Sequence, residues 1–318
     1  MPELSPTVAE VFNTGSSPSV TLVRPGALGD TILTLPVLHY LRSRSPRAKI
    51  TFCGSYWAEE LMCMAGDLYS YFPFDSILMA PLFAELAPAQ MPSPFRSADA
   101  IVIYTNCIGG HFVRNIRKGC GCPATVWDLT PPAGVHMALH MARAAAGAEL
   151  SCEERLPLPS LRAPGPVVDA LRRRFRLHEG VKAAVIHPGS GSASKNLPSR
   201  FFARIISCLR EMGMRTVLLQ GPADDAACRG VMQELPPAGQ PEVLRGMSLV
   251  ETAALLESCS LFIGNDSGVS HLAGALGVRT RVMFRSTDPA QWRPLGADVK
   301  VFALHCGENV SDIEKILQ

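Results

Sequence analysis

The sequence predicts an α/β protein made of two parallel-sheet domains. Three observations predict it: strand-like and helix-like runs alternate along both halves, polar turns stand where strands give way to helices, and a proline-rich stretch separates the halves. Such alternation marks right-handed βαβ units, and two halves of this kind joined by a linker imply two Rossmann-like domains facing across a cleft.

Residues 1–18 carry Pro, Ser, Thr and Gly without periodicity and read as a flexible leader. A β-branched run at 20–23 is the first strand. The turn Arg24-Pro25-Gly26-Ala27-Leu28-Gly29-Asp30 follows it, and Ile32, Leu33, Leu35, Leu38 and Leu41 then recur at helical spacing. Strands are expected at 49–53 and 98–104 with a helix at 56–64 between them. A weak strand is expected at 77–79, inside a proline- and alanine-rich stretch at 72–97, and a helix at 135–146. Leu156-Pro157-Leu158-Pro159 and Ala163-Pro164-Gly165-Pro166 have little to bury and form the linker. It divides an N-terminal domain at 19–160 from a C-terminal domain at 161–318, whose final helix is free to pack back on the first.

The second half alternates more cleanly, with strands at 183–186, 216–220, 243–244, 280–284 and 299–304 and helices at 198–212, 224–235, 248–258 and 311–317. Its most informative stretch is 261–277. There Leu261, Phe262 and Ile263 form a strand and Gly264-Asn265-Asp266-Ser267-Gly268 a turn, while Val269, Leu272, Ala273 and Leu276 mark a helix closed by Gly277.

Composition bounds the function classes. Among 318 residues, 47% are hydrophobic and 18% charged, and a formal charge of +2 demands no nucleic-acid partner. Basic clusters at 42–49, 114–118 and 172–176 suit solvated helix faces, and together they also suit an anionic membrane surface or substrate. No run approaches the ~20 apolar residues of a membrane span and no signal-peptide pattern opens the chain. The expected location is therefore cytoplasmic, with room for peripheral contact at the inner face of the cytoplasmic membrane. Ten cysteines sit mostly in apolar segments, as Cys53, Cys208 and Cys259 do, which fits reduced thiols. The cluster Gly119-Cys120-Gly121-Cys122-Pro123 lacks the second cysteine pair of a zinc site, and no metal or other cofactor is expected.

Three polar constellations fall at expected strand-to-helix junctions, where open α/β sheets bind ligands. At the first, Gly26 and Gly29 would let a substrate approach the backbone, and Asp30 is placed either to cap a helix or to accept a hydroxyl proton. Its spacing is not the G-x-G-x-x-G dinucleotide fingerprint, which argues against a nicotinamide-dependent oxidoreductase. At the second, His187-Pro188-Gly189-Ser190-Gly191-Ser192-Ala193-Ser194-Lys195, the N–H and O–H groups and the Lys195 charge suit a diphosphate as well as a flexible loop. No P-loop ending follows, so nucleotide hydrolysis is not indicated. At the third, residues 264–268 aim turn amides and a helix N-terminus at one point, with His271 about one turn on; a capped helix with a surface histidine is the plain alternative.

Taken in order, Arg24-Pro25-Gly26-Ala27-Leu28-Gly29-Asp30 with Pro36, His187-Pro188-Gly189-Ser190 with Lys195, Pro198 and Phe201, Gln220-Gly221-Pro222-Ala223, and Gly264-Asn265-Asp266-Ser267-Gly268 with His271, Ala275 and Gly277 together resemble glycosyltransferase family 9. The resemblance runs from about residue 20 to residue 294 and implies the GT-B fold. It implies a heptosyltransferase of lipopolysaccharide core assembly, with a nucleotide-activated heptose, usually ADP-heptose, in the C-terminal domain and the acceptor sugar of the core in the N-terminal domain. By the same resemblance Asp30 matches the general base, Ser190 and Lys195 the donor-phosphate contacts, and Asp266, Ser267, Gly268 and His271 the sugar and diphosphate site. Met247 matches a residue packing on adenine, and Asp224, with Asp225 as a second candidate, stands near the ribose.

The implied reaction is an inverting, metal-independent displacement. Leu197 replaces a common tryptophan, and Arg285 and Ser286 replace a usual Gly-Pro, which bears on donor identity. The rival readings are a transferase of the same fold with another nucleotide sugar or acceptor, and a non-catalytic nucleotide-sugar-binding protein.

Overall fold

Near-continuous apolar strands can be satisfied only where both sheet faces are covered, and the chain builds two such sheets. The computed structural model describes residues 10–11, 17–66, 69–85, 91–146, 156–177, 181–304 and 310–317. It divides into two units, Met1–Pro159 and Ser160–Gln318. Most of the expected leader lies outside the described residues, whereas the expected linker at 156–166 lies within them.

In the first unit β1 (Ser19–Val23), β2 (Lys49–Gly54), β3 (Tyr69–Pro73), β4 (Ala100–Tyr104) and β5 (Ala124–Trp127) form one sheet in the order β3-β2-β1-β4-β5. All four pairings are parallel. The central β4 is buried at every position, whereas the edge strand β5 is half-buried throughout. The edges β3 and β5 are the two strands that periodicity does not reveal: short and half-exposed, with Pro73 ending β3, they carry no apolar run. The strand expected at 77–79 is instead a 3₁₀ helix, Ile77–Phe83. Ser76 Oγ accepts the Leu78 N–H to start it, and Pro81 inside it has no N–H to give a ladder.

In the second unit β6 (Ala183–His187), β7 (Arg215–Gln220), β8 (Glu242–Arg245), β9 (Leu261–Asn265), β10 (Thr280–Phe284) and β11 (Val299–Ala303) form a parallel sheet in the order β11-β10-β9-β6-β7-β8. Every residue of β6, β9 and β10 is buried. The helix Ser199–Glu211 covers one face by setting Phe202, Ile205, Ile206 and Leu209 toward Leu218 and Ile263 at i, i+3, i+4 and i+7. Each such side chain contributes roughly 1.5–3 kcal/mol on burial, so Phe202→Ala would open a core defect costing about 3–5 kcal/mol. The last helix, Val310–Leu317, sends Ile313 and Ile316 into this same core, where the sequence had left open a return to the first domain.

Counted within its own unit, each sheet follows the order 3-2-1-4-5, with a sixth strand added in the second. Strand order therefore reverses direction at β1/β4 and at β6/β9, the switch points at which a doubly wound sheet opens a ligand crevice beyond its strand ends. Among the described residues no helix is long and apolar enough to cross a membrane.

Candidate functional site

Parallel register carries the second and third constellations to one place. His187 of β6 pairs with Gly264 of β9, so the loop after β6 and the turn after β9 leave adjacent strand ends. Asn265, fully buried, ties them together: its Nδ2 donates to Pro188 O at 2.7 Å and its Oδ1 accepts the Leu197 N–H at 3.3 Å.

Asp266 is the next residue, and it is buried to 3% exposure. Its Oδ2 accepts from Lys195 Nζ at 2.8 Å and from Thr287 Oγ1 at 2.6 Å, while its Oδ1 lies 4.0 Å from His271 Nε2. A desolvated carboxylate needs such partners, and Lys195 and Thr287 supply the hydrogen bonds. Lys195, brought back from the loop after β6 by the short 3₁₀ turn Ala193–Lys195, spends one of its three N–H groups on this pair and keeps its side chain 31% exposed. The helix Gly268–Ala275 then begins at Ser267, whose Oγ accepts the Ser270 N–H. His271 is buried at 4%, so the alternative of a surface histidine is overturned. The N–H groups of Gly268 and Val269 belong to the first turn, which has no intrahelical acceptors for them.

Beneath this ring lies a second polar pair. His187 Nε2 stands 2.9 Å from Asp224 Oδ2 and His187 Nδ1 stands 3.3 Å from Ser267 Oγ, all in the interior. Asp224 also accepts the Gly221 N–H at 2.8 Å. Burial pushes the Asp224 carboxyl up, but the hydrogen bond and charge of His187 and the Gly221 N–H outweigh it and hold the group below its usual value. A Cβ on Gly189 would fall 1.8 Å from Asp224 Oδ1, so only glycine fits where the loop crosses this carboxylate. Asp224 thus faces inward. Its neighbour Asp225 is half exposed, paired with Arg229 at 2.8 Å.

Ser190 is buried with its Oγ 2.6 Å from Ser192 O and 2.7 Å from Asn196 Oδ1, bracing its own loop. Met247 is half-buried on the segment that follows β8. Arg285 is exposed and donates through Nη1 to Asn196 O at 2.7 Å, next to Lys195; Ser286 is exposed beside it.

In the first unit the turn after β1 is organised by one ion pair. Arg24 Nη2 lies 2.9 Å from Asp30 Oδ1, and the Ala27 N–H donates to Asp30 Oδ2 at 3.1 Å. Asp30 is the third residue of the helix Leu28–Ile32, with Ala27 rather than Asp30 at the cap position, and its side chain is 26% exposed. Burial pulls the Arg24 guanidinium down and the Asp30 charge opposes that pull. A Cβ on Gly26 would stand 2.9 Å from Arg24 Nη1 and 3.1 Å from Asp30 Oδ2, so the two side chains of the ion pair lie against this glycine. Gly29 is half-buried within the helix.

The structure therefore brings Ser190, Lys195, Asp266, Ser267, Gly268 and His271 to one switch point, and places Asp30 at the other unit's corresponding position. Sequence reasoning assigned no role to Arg24, His187, Asn265 or Thr287. Arg24 meets Asp30 within a single turn, whereas His187, Asn265 and Thr287 reach their partners through strand register that a linear motif does not display. Among the described residues no group of three or more His, Cys, Asp or Glu is arranged to hold a metal ion, and Cys120 Sγ is instead 3.2 Å from Cys122 O.

Over 115 residues the chain is 32% identical to lipopolysaccharide heptosyltransferase 3 of Escherichia coli K12, a match that covers 35% of this chain and 33% of that one. The chain thus matches about a third of the length of that relative. The structure of E. coli ADP-heptose lps heptosyltransferase II superposes with a TM-score of 0.73 at 18% identity over 91% of each chain. That of E. coli heptosyltransferase WaaC with ADP does so with a TM-score of 0.61 at 16% identity, over 89% of this chain and 92% of the other. These likenesses establish the GT-B fold, two Rossmann-like domains. The family model of glycosyltransferase family 9 (heptosyltransferase) matches residues 117–315, and the chain belongs to that family.

Proposed function

We propose that the protein is an inverting glycosyltransferase that moves a heptose from ADP-heptose to a sugar hydroxyl of the lipopolysaccharide inner core. The observation that carries this reading is the ring of Lys195, Thr287 and His271 around the buried Asp266, at the mouth of a helix whose first N–H groups need an acceptor. Relatives named as heptosyltransferases, one of them solved with ADP, supply the donor class.

In this reading the second unit holds the donor. Lys195 has two N–H groups left for the diphosphate, the N–H groups of Gly268 and Val269 share its charge, and Asp266 fixes Lys195 in place. Asp225, being exposed where Asp224 is not, is the carboxylate offered to the ribose, and Met247 packs on the adenine. The first unit supplies Asp30 as general base, oriented by Arg24. The acceptor oxygen forms its bond to the anomeric carbon as the bond to the diphosphate breaks. The acceptor proton passes to Asp30 and the nucleoside diphosphate leaves. With its charge met by Lys195 and backbone donors, the step runs without a metal, and exposed Arg114, Arg117 and Lys118 suit a peripheral contact with an anionic membrane face.

A second reading, transfer of a different sugar, is favoured by Arg285 on the loop after β10, whose side chain bonds to Asn196 next to Lys195. Thermal shift with ADP-heptose against UDP- and GDP-sugars decides between them, because a ligand that binds the folded state raises its melting temperature. Product from ADP-heptose and a truncated core acceptor, formed in the presence of a chelator, is the expected result. A larger shift with a UDP-sugar would replace the donor assignment, and donor binding without product would leave a binding protein.

A further inference from the structure

Three polar side chains buried beneath Asp266 form one hydrogen-bonded row, each delivered by a different strand-to-helix junction of the second unit. His187 ends β6, Asp224 caps the helix Asp225–Glu234 that follows β7, and Ser267 caps the helix Gly268–Ala275 that follows β9. Asp224 Oδ2 faces His187 Nε2 at 2.9 Å, and His187 Nδ1 faces Ser267 Oγ at 3.3 Å. The backbone closes on the carboxylate from two loops: a Cβ on Gly189 or Gly221 would fall 1.8 or 2.8 Å from its oxygens.

The direction of each bond follows from what its atoms can do. Burial pushes the Asp224 carboxyl up, but His187 and the Gly221 N–H hold it below its usual value, so it is a carboxylate and only accepts. A proton therefore stands on His187 Nε2. A neutral ring, which avoids burying a further charge, then leaves Nδ1 bare and in need of a donor. Ser270 Oγ, 3.2 Å from Ser267 Oγ, gives its own proton to Asn265 O at 2.5 Å, so the donor to Nδ1 is the Ser267 hydroxyl. The Ser267 proton is thus turned into the protein. Toward the helix its oxygen offers a lone pair, which accepts the Ser270 N–H at 3.4 Å.

The family resemblance puts Ser267 in the sugar and diphosphate site as a direct contact. With its only proton committed inward, it has none for an anion, and the diphosphate is left to Lys195 and to the N–H groups of Gly268 and Val269, whose direction the Ser267 cap sets. We propose that Asp224 and His187 are positioning residues of the donor site: by holding the Ser267 hydroxyl inward they fix the turn whose N–H groups meet the diphosphate. The role rests on the second unit being the donor half; the row of bonds does not.

The test combines nitrogen NMR of isotope-labelled histidine with calorimetric titration of the full chain by ADP and by UDP, at neutral pH and well below the melting temperature. The His187 ring, identified by its loss from the spectrum of His187→Gln, should carry its proton on Nε2 with Nδ1 bare. Saturating nucleotide should leave both nitrogens unchanged, because the Ser267 proton is not handed to the ligand. The nucleotide that binds the wild type more tightly should bind His187→Phe about tenfold more weakly, the cost of misdirecting one donor to a charged group. His187→Gln, which again offers one donor and one acceptor, should recover most of that loss. Ser267→Ala should lose as much as His187→Phe, and the double variant no more than the worse single, since both cut one row. A ring protonated on Nδ1, a Nδ1 that loses its hydrogen bond when nucleotide binds, additive losses in the double variant, or His187→Phe binding as the wild type does would each overturn the positioning role. The NMR outcomes need no variant beyond the one used for assignment, so they decide even should His187→Phe not fold. Failure of both nucleotides to bind the wild type is a different result: it breaks the donor half of the proposed function and takes the positioning role with it.

Discussion

The two units share a strand order and place their candidate sites at the same topological position, yet they fill it with opposite chemistry. At β6/β9 the loops are cross-tied by buried polar groups: Asn265 to Pro188 and Leu197, Asp266 to Lys195 and Thr287, Asp224 to His187. At β1/β4 one ion pair, Arg24 with Asp30, stands beside a cavity walled by aromatic rings. A polar network specifies one arrangement and is costly to leave half-made, as suits a site for a charged ligand. An apolar cavity specifies shape and area, and it tolerates variation in what fills it.

The comparison breaks most visibly at Asp30. Asp30→Asn keeps the side-chain shape and removes the base, so transfer should fall by about 10²–10⁴-fold while thermal stabilisation by the donor is kept. A variant with near-normal turnover would move the chemistry out of the first unit altogether.

Next in size is the cross-tie itself. Asp266→Ala leaves Lys195 without its partner and should cost on the order of 2–3 kcal/mol in thermal unfolding, below the ~3–5 of a fully enclosed pair because Lys195 is partly exposed. Donor stabilisation should vanish with it. The matching first-unit change, Arg24→Met, should alter stability less and act chiefly on turnover; equal stability losses in both would erase the contrast.

The Asp224–His187 pair makes a smaller, pH-dependent prediction. A carboxyl held below its usual value in the folded state contributes stability that is fully present above its unfolded value near pH 4 and is lost as pH falls through the folded value. Melting temperature should therefore drop on acidification below about pH 4, and Asp224→Asn should start lower at neutral pH and drop less. A slope unchanged by the substitution would show that other groups carry it. The smallest effect is expected at Arg285, where truncation to Ala removes an exposed contact to Asn196 O and should change stability by less than about 0.5 kcal/mol. A shift in donor KM there, with stability unchanged, would locate the sugar beside it.

Legibility followed the same divide. Strands β4, β6, β9 and β10 are central and buried, so they write themselves as apolar runs with β-branched and aromatic residues, while β3 and β5 at the edges of the first sheet answer to water on one side and leave no such run. The segment 77–83 misled because Ile77, Leu78 and Phe83, apolar enough for a strand, are turned outward, and no periodicity rule anticipates an exposed apolar helix. The Asp30, Lys195 and Asp266 motifs were legible because glycine, a turn and a charged residue at a strand's end leave a linear trace.

What the sequence by itself determined was the alternation of strand and helix, the two halves, and the charged residues at the junctions, since each depends on neighbours within a few positions. Tertiary structure decided which of those residues touch. Strand order and register set His187 against Asp224 and Lys195 against Asp266, turned Asp224 inward and left Asp225 half exposed, and closed Phe74, Phe83 and Phe112 around a cavity. Contacts between residues tens of positions apart are created by hydrogen-bonded strand pairing and close packing, and no local pattern encodes them.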